Sequence, residues 1–276
     1  MSSGNEIDTE AFKRFERDGY SRVAEGYAKK TARVSSQSND SILDAVAAGP
    51  GTRLLDVACG PGFLTASAVK RGVIVVALDF APNMVAIARS VNPDVEIHEG
   101  DAENLPFDDG RFDAVVCSLG ILHFPNPEHA IAEAFRVLRS GGRYAFSCWT
   151  PPAVNPLMDL ILRSIETHGT LELDLPAGPP AFRFGDPTEC EKVLSESGFV
   201  DTTTTEVSVF WPSDTPETFV QELPSSTARI GPMLTMQSDE QRKKIEQAMI
   251  EAAGEYPTED GVNIPSGLIV AEGRKP

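Results

Sequence analysis

Short apolar runs alternate with amphipathic, helix-like stretches through the first half of the chain. Five of these runs are predicted to be strands: Arg53–Val57, Val73–Leu78, Val95–His98, Phe112–Ser118 and Arg143–Trp149. The second run is apolar at six consecutive positions, which is typical of a strand that is covered on both faces. This regular alternation predicts an α/β fold with a mostly parallel sheet and helices on both faces.

Proline, asparagine and glycine mark the ends of the intervening helices. Pro82 is expected in the first turn of a helix, where its missing N–H leaves no hydrogen bond unmade. Asn126-Pro127 is expected to open another helix, which Gly141-Gly142 would end.

The two ends of the chain depart from this alternation. Residues 1–50 are predicted to form an N-terminal helical flap, with helices over Thr9–Thr31, interrupted near Asp18-Gly19, and over Asp40–Ala48. Residues 51–150 are predicted to form the central sheet domain. Residues 151–276 are expected to supply a helical cap.

The cap region is also expected to complete the sheet. Two helices are predicted between Thr215 and Gly254, and the last two strands over Phe199–Phe210 and Leu268–Ala271. The expected sheet therefore has seven strands, of which the last is antiparallel.

Composition and charge narrow the choice of partners. The 276 residues include 41% hydrophobic and 24% charged residues, and no apolar run approaches the roughly 18 residues that a membrane span needs. The net charge of −17 argues against nucleic acid as a partner, since no basic cluster offsets it. Met1–Glu6 is polar and acidic, so we expect a cytoplasmic protein without a signal peptide. The cysteines form no CxxC pair and are expected to be free thiols, mostly buried: Cys59, Cys117, Cys148 and Cys190.

The chemistry-bearing residues follow the predicted strands. Asp56 ends the first strand, Gly60 and Gly62 permit a tight backbone bend after it, and Asp79 ends the second strand. In an open α/β sheet ligands bind beyond the carboxyl ends of the strands, and a carboxylate there can accept both hydroxyls of a ribose. A glycine loop alone would also suit an NAD-dependent dehydrogenase. However, the third glycine of that fingerprint is missing, and a further polar set, Gly100–Phe107, follows the third strand.

Taken together, these motifs resemble the class I S-adenosylmethionine-dependent methyltransferases, especially the small-molecule group that contains the quinone-biosynthesis C-methyltransferases. The resemblance spans Tyr20–Trp149 and continues more weakly through Phe184–Phe210 and the last strand. It implies a Rossmann-like fold and S-adenosylmethionine as cofactor. Ala58 stands where many members carry glycine. The cofactor-binding positions that it implies are Tyr27, Asp56, Ala58, Gly60, Gly62, Asp79, Phe80, Met84, Asp101, Ala102, Ser118 and Leu119.

The expected reaction is methyl transfer to an O, N or C atom of a small, apolar or aromatic metabolite. Alignment of the reactants in a desolvated pocket supplies much of the acceleration for such a displacement, so a base is optional. His123, just past the fourth strand, is the candidate base; its alternative is structural packing. Tyr27 likewise either touches the cofactor or packs. The residues expected to bind the acceptor under the cap are Phe15, Tyr20, His123, Trp149, Phe184 and Met233.

Absent motifs also bear on the chemistry. No cluster of Asp, Asn and Glu follows the fourth strand, so a metal ion is not expected. Two alternatives remain: a protein of this fold that binds the cofactor without methyl transfer, as a pericyclase or a sensing module does, and an NAD-dependent dehydrogenase. The sequence carries no indication of an oligomeric state.

Overall fold

The computed structural model describes residues 7–276; Met1–Glu6, on which the expectation about a signal peptide rests, lies outside them. The strands are β1 (Arg53–Val57), β2 (Ile74–Asp79), β3 (Glu96–Glu99), β4 (Phe112–Ser118), β5 (Leu138–Trp149), β6 (Val200–Ser213), β7 (Pro257–Thr258) and β8 (Gly261–Arg274). The helices are α1 (Thr9–Lys29), α2 (Thr31–Ser35), α3 (Asn39–Ala45), α4 (Phe63–Lys70), α5 (Pro82–Val91), α6 (Pro127–Val137), α7 (Pro156–His168), α8 (Pro187–Glu196), α9 (Pro216–Ser226), α10 (Ile230–Thr235) and α11 (Asp239–Ala253). In this described part, no helix is long and apolar enough to cross a bilayer.

The sheet confirms the predicted Rossmann-like α/β fold. Its strand order is β3-β2-β1-β4-β5-β8-β6, and the two-residue β7 pairs with β8 outside this path. Neighbouring strands from β3 to β5 are parallel, whereas β8 runs antiparallel to both β5 and β6. The order reverses at β1, which pairs with β2 on one side and β4 on the other. The segments that follow these three strands therefore meet at one edge, at the switch point where such sheets bind ligands.

Strands β1 and β4 have the predicted bounds, and Pro82 opens α5. Helix α6 ends at Val137 rather than at Gly141-Gly142, because Leu138 already pairs with β4. The last strand is also much longer than predicted: it spans Gly261–Arg274, since it pairs with β6 from Val262 onward and with β5 only from Leu268. The buried cysteines are all free, as expected.

Two predictions about helices are wrong. Helix α1 is not interrupted at Gly19, which lies on its buried face next to Ala228; a Cβ there would make only an ordinary 3.5 Å contact. Between Thr215 and Gly254 there are three helices, α9, α10 and α11, instead of two. The short α10 has no side-chain cap that would mark it in the sequence.

The cap consists of α7, α9, α10 and α11, and helix α1 is fastened to it. Lys30 Nζ lies 2.7 Å from a Glu222 carboxylate oxygen, and Thr31 Oγ1 donates to the Ser226 carbonyl at 2.6 Å. At the crossing of α1 and α9, a Cβ on Gly26 would overlap the Ser225 carbonyl oxygen. Gly26 is thus what allows α1 to lie directly against the cap.

We expect Gly26→Ala to lower the free energy of unfolding by about 1–3 kcal/mol, because the added methyl group forces α1 away from α9. In a helix without this contact the same change would stabilise by about 1 kcal/mol. Chemical denaturation of the purified variant measures the effect. Gly49→Ala is the matched control, since its new Cβ meets nothing within 4 Å. Equal or greater stability of Gly26→Ala would contradict the close crossing.

Candidate functional site

The loop after β1 turns sharply and is held by the carboxylate at the end of β2. Ala58, Gly60 and Gly62 have φ values of 55°, 54° and 80°, in the left-handed region that favours glycine. Asp79 Oδ2 accepts a hydrogen bond from the Gly60 amide at 2.8 Å, and its Oδ1 accepts from the Ala81 amide at 2.9 Å. Asp79 therefore shapes the loop and also lies at the switch point.

Alanine at position 58 is accommodated by a glycine on the neighbouring segment. A Cβ on Gly120 would lie 2.7 Å from the Ala58 Cβ. Gly120 thus leaves room for the one methyl group that Ala58 adds to this loop. Gly62, by contrast, is buried against Asn92, whose side-chain amide donates to the Gly62 carbonyl at 2.9 Å.

Two buried carboxyl groups, Asp56 and Asp79, lie where β1 and β2 end. Burial raises the pKa of Asp56 to about 7 and that of Asp79 to about 6. Asp56 Oδ2 accepts from Thr65 Oγ1 at 2.6 Å, while its Oδ1 has no hydrogen-bond partner among residues 7–276. A buried acceptor without a partner is costly, so this atom calls for a ligand that brings a donor.

A groove follows the strand ends past these carboxyl groups, and we call it the strand-end groove. Asp101 and Ala102 lie at one end with Phe80, and Asp56 and Tyr27 at the other. Between them lie the remaining expected positions: Ala58, Gly60, Asp79, Met84, Ser118 and Leu119. Of the predicted cofactor-binding residues described here, Gly62 alone does not line the groove.

A second, more apolar cavity of about 160 Å³ lies between the sheet and the cap, and we call it the cap cavity. Its walls include Trp149 and Met233, as expected, together with Phe182 and Trp211. Three side chains line both the groove and this cavity: Tyr20, Tyr27 and His123. The two spaces therefore meet at these side chains.

Two residues expected in the acceptor site lie elsewhere. Phe184 is 3% exposed and packs edge-to-face on Phe146 in the core of the sheet, with ring centroids 5.5 Å apart, so it does not line the cap cavity. Phe182, two residues earlier, lines the cavity instead. Phe15 does not line the cavity; its ring lies 5.6 Å from the guanidinium of Arg229, which does.

His123 belongs to a chain of polar side chains that crosses from the sheet to the cap. Its Nε2 lies 2.6 Å from the Tyr20 hydroxyl, in hydrogen-bond geometry. Its Nδ1 lies 2.9 Å from Glu16 Oε2, and Glu16 Oε1 lies 2.7 Å from Arg229 Nε. These two contacts are ion-pair distances without the alignment of a hydrogen bond. Glu16 has no exposed surface.

The comparisons with known proteins agree with this geometry. A methyltransferase-domain family matches residues 55–146. A demethylmenaquinone methyltransferase of Paenarthrobacter aurescens (strain TC1) is 30% identical over 174 residues, covering 59% of this chain and 68% of that protein. The chain belongs to the class I S-adenosylmethionine-dependent methyltransferases.

Other members of this methyltransferase family match over different lengths. A demethylmenaquinone methyltransferase of Renibacterium salmoninarum is 40% identical over 115 residues, covering 42% of this chain. The chain spans about half the length of that relative, 48%. The solved structure of a possible histamine N-methyltransferase from Thermotoga maritima is 19% identical, with a TM-score of 0.56 over 95% of this chain and 100% of that one. At this identity the likeness shows the shared fold.

The methyltransferase-domain match includes most of the groove but not the cap. Asp56, Asp79, Asp101 and His123 lie inside residues 55–146, whereas Tyr20 and the cap helices lie outside. Most residues that line the cap cavity therefore lie outside the matched domain.

Sequence reasoning missed Glu16, Arg229 and Lys13. Lys13 Nζ lies 2.6 Å from Asp101 Oδ2 at one end of the groove. Glu16 could have been found from the sequence, because it shares the buried face of α1 with Phe12 and Val23 at helical spacing. Arg229 carries none, since it lies in the connection between α9 and α10 and meets Glu16 only in the folded protein. Among residues 7–276 there is no cluster of three or more side chains placed to hold a metal ion.

Proposed function

We propose that this protein transfers a methyl group from S-adenosylmethionine to a small, apolar or aromatic molecule bound in the cap cavity. The observation that supports this proposal most strongly is that the strand-end groove and the cap cavity meet. A groove with carboxylates suited to a nucleoside joins an apolar cavity at Tyr20, Tyr27 and His123. A donor and an acceptor could therefore meet there with little water between them, as in-line displacement requires.

The residues of the strand-end groove fit the cofactor of the family. Asp79 would hold the ribose hydroxyls, Asp101 the adenine edge, and the free Oδ1 of Asp56 would accept a donor near the amino-acid portion. S-adenosylmethionine supplies a methyl group on a positively charged sulfur, which is an excellent leaving group. The chain itself would bind, orient and cover this cofactor. Helix α1 lies over the groove, and Arg17, in the middle of α1, donates a hydrogen bond to the Phe80 carbonyl at 3.2 Å.

The cap cavity supports an uncharged ring system as acceptor. Trp149, Phe182 and Trp211 offer flat apolar surfaces, and the relatives reported above are named for demethylmenaquinone, a quinone. The net charge of −17 continues to argue against a nucleic acid acceptor. We place the reaction in the cytoplasm, since reducing compartments keep thiols such as these four free.

Two measurements test the proposal. Calorimetry with S-adenosylhomocysteine and, separately, NADH should show binding of the first and not of the second. Incubation with S-adenosylmethionine and a library of aromatic metabolites should then give one product heavier by a single methylene group. Binding of NADH alone would indicate a dehydrogenase, and S-adenosylhomocysteine binding with no methylated product from any pool would indicate a role without methyl transfer.

We expect Asp79→Ala to weaken S-adenosylhomocysteine binding by about 1–3 kcal/mol, because two ribose hydroxyls lose a buried acceptor. This corresponds to roughly a factor of 5 to 150 in Kd, measured by calorimetry. Asp94→Ala is the matched control, since Asp94 is exposed beyond α5. An unchanged Kd for Asp79→Ala would show that Asp79 does not bind the ligand.

Activity is expected to survive EDTA, because the groove and cavity hold no ligand set for a metal among residues 7–276. Formation of S-adenosylhomocysteine, measured with and without the chelator, tests this expectation. Loss of turnover that magnesium restores would contradict it.

A further inference from the structure

A buried carboxylate of helix α1 stands behind His123. Glu16 is fully buried, and its two oxygens face the His123 ring at 2.9 Å and the Arg229 guanidinium at 2.7 Å. Arg229 in turn lies over the rings of Phe12 and Phe15, at 5.0 and 5.6 Å from their centroids. Burying a carboxylate is costly unless it is paired, and here a single cation and one imidazole share it. The imidazole is thereby held between the Glu16 carboxylate and the Tyr20 hydroxyl.

The contacts also determine which nitrogen of His123 carries the proton. An unprotonated Nδ1 would place two acceptors 2.9 Å apart, so we assign the ring proton to Nδ1, next to the Glu16 carboxylate. The other nitrogen, Nε2, is then an acceptor, and the Tyr20 hydroxyl donates to it at 2.6 Å. Tyr20 lines both the strand-end groove and the cap cavity, so its oxygen lies where donor and acceptor would meet.

We infer that Tyr20, His123 and Glu16 form a proton relay, and that the group it deprotonates is a weakly acidic hydroxyl, a phenol or an enol, of the acceptor. Glu16 acts as a positioning residue, because it lines neither the strand-end groove nor the cap cavity and lies against the imidazole. This inference rests on the proposed methyl transfer and adds to it the acceptor class and the path of the proton.

The protons and electrons balance along this path. The acceptor hydroxyl gives its proton to the Tyr20 oxygen as the proton of Tyr20 passes to His123 Nε2, which leaves an imidazolium beside the Glu16 carboxylate. The oxygen lone pair, either directly or through the ring, forms the bond to the methyl carbon. The electron pair of the broken carbon–sulfur bond stays on sulfur. Burial raises the pKa of Tyr20 well above its ordinary value, so the two proton movements occur together rather than through a tyrosinate.

The charges around the cap cavity favour a hydroxyl over an ammonium group. Of its lining residues in the described chain, Arg229 alone carries a permanent charge, and no acidic side chain lines it. A cationic amine would find no partner there, whereas a neutral hydroxyl needs only a base. Phenols and enols are the hydroxyls whose acidity comes close enough to that of imidazole for efficient transfer.

The tautomer of His123 tests the relay without any acceptor. The chain has four histidines, so ¹⁵N-histidine NMR spectra of the protein loaded with S-adenosylhomocysteine can be assigned with His123→Gln. We expect the Nδ1–H form in the wild type and loss of its predominance in Glu16→Gln. The groups that face the His123 ring are Glu16, Tyr20 and, farther away, Asp79. Arg229 lies on the other side of Glu16, and Tyr27 packs against Tyr20. Glu25→Gln, an exposed change on α1, is the matched control. An Nε2–H form in the wild type, or an identical tautomer in Glu16→Gln, would overturn the relay.

A chromogenic phenol tests the acceptor class. 4-Nitrophenol reports its ionisation by its absorbance, and we expect the wild type loaded with S-adenosylhomocysteine to raise its ionised fraction severalfold below its midpoint in solution. Glu16→Gln and His123→Gln should lose this effect, and Glu25→Gln should keep it. Binding as the neutral phenol, or no binding, would overturn the assignment to hydroxyl acceptors. Calorimetry with S-adenosylhomocysteine distinguishes a failure of the proposed methyl transfer from a failure of the relay. If the wild type does not bind S-adenosylhomocysteine, the proposed function fails. If it does bind, a negative result with 4-nitrophenol contradicts only the relay.

Discussion

His123→Ala is expected to lower kcat by about 10²–10⁴-fold, because general-base assistance acts mainly in the transition state. The affinity for S-adenosylhomocysteine should stay nearly constant, since no cofactor-holding role is proposed for the imidazole. Steady-state kinetics with the acceptor that the metabolite screen identifies, together with calorimetry, measure the two effects separately. The low-pH limb of the wild-type rate profile should also disappear in the variant.

A glutamine at position 123 distinguishes a role of His123 as a base from a role in shaping the pocket. His123→Gln keeps most of the side-chain volume and can still hydrogen-bond to Tyr20, but it cannot take up a proton. We therefore expect its kcat to be as low as that of the alanine variant. His129→Gln, an exposed change on α6, should be indistinguishable from the wild type. Near wild-type turnover with an unshifted pH profile in His123→Gln would show that the protein works by alignment alone.

The stability of the ligand-free protein is expected to fall by about 2 kcal/mol between pH 4 and pH 7 through Asp79 alone. Burial raises the pKa of Asp79 from 3.8 to about 6, so within this window the folded state binds more protons than the unfolded state. Stability therefore falls as pH rises, and the contribution is fully present only below the unfolded pKa. Urea denaturation across this pH range measures the slope.

Asp79→Asn isolates this contribution. The asparagine leaves either the Gly60 or the Ala81 amide without an acceptor, which lowers stability by a similar amount at every pH. The difference in the free energy of unfolding between wild type and variant should nevertheless shrink as pH rises from 4 to 7. Asp94→Asn, exposed and distant, should show the wild-type slope. Parallel curves for wild type and Asp79→Asn would mean that Asp79 ionises in the folded protein as it does in the unfolded chain.

The position of the strand-end groove could be predicted from the sequence because it depends on local patterns. Strands β1 and β2 are visible as apolar runs of strand length, and Asp56 and Asp79 are visible as the first acidic residues near their ends. Parallel strands bring their carboxyl ends to one edge whatever the details of packing, so residues that end neighbouring strands must approach each other. Ala58 at positive φ fits the same reasoning, since the loop had to turn there.

Only the tertiary structure decided which of several similar side chains line the cap cavity. Phe182 and Phe184 are alike in type and two residues apart, yet one lines the cap cavity and the other packs on Phe146, because the short 3₁₀ turn at Arg183–Gly185 sends them to different neighbours. The chain from Tyr20 through His123 and Glu16 to Arg229 joins residues more than 200 positions apart. No local periodicity records such pairings, which exist only because α1, β4 and the cap come together on folding.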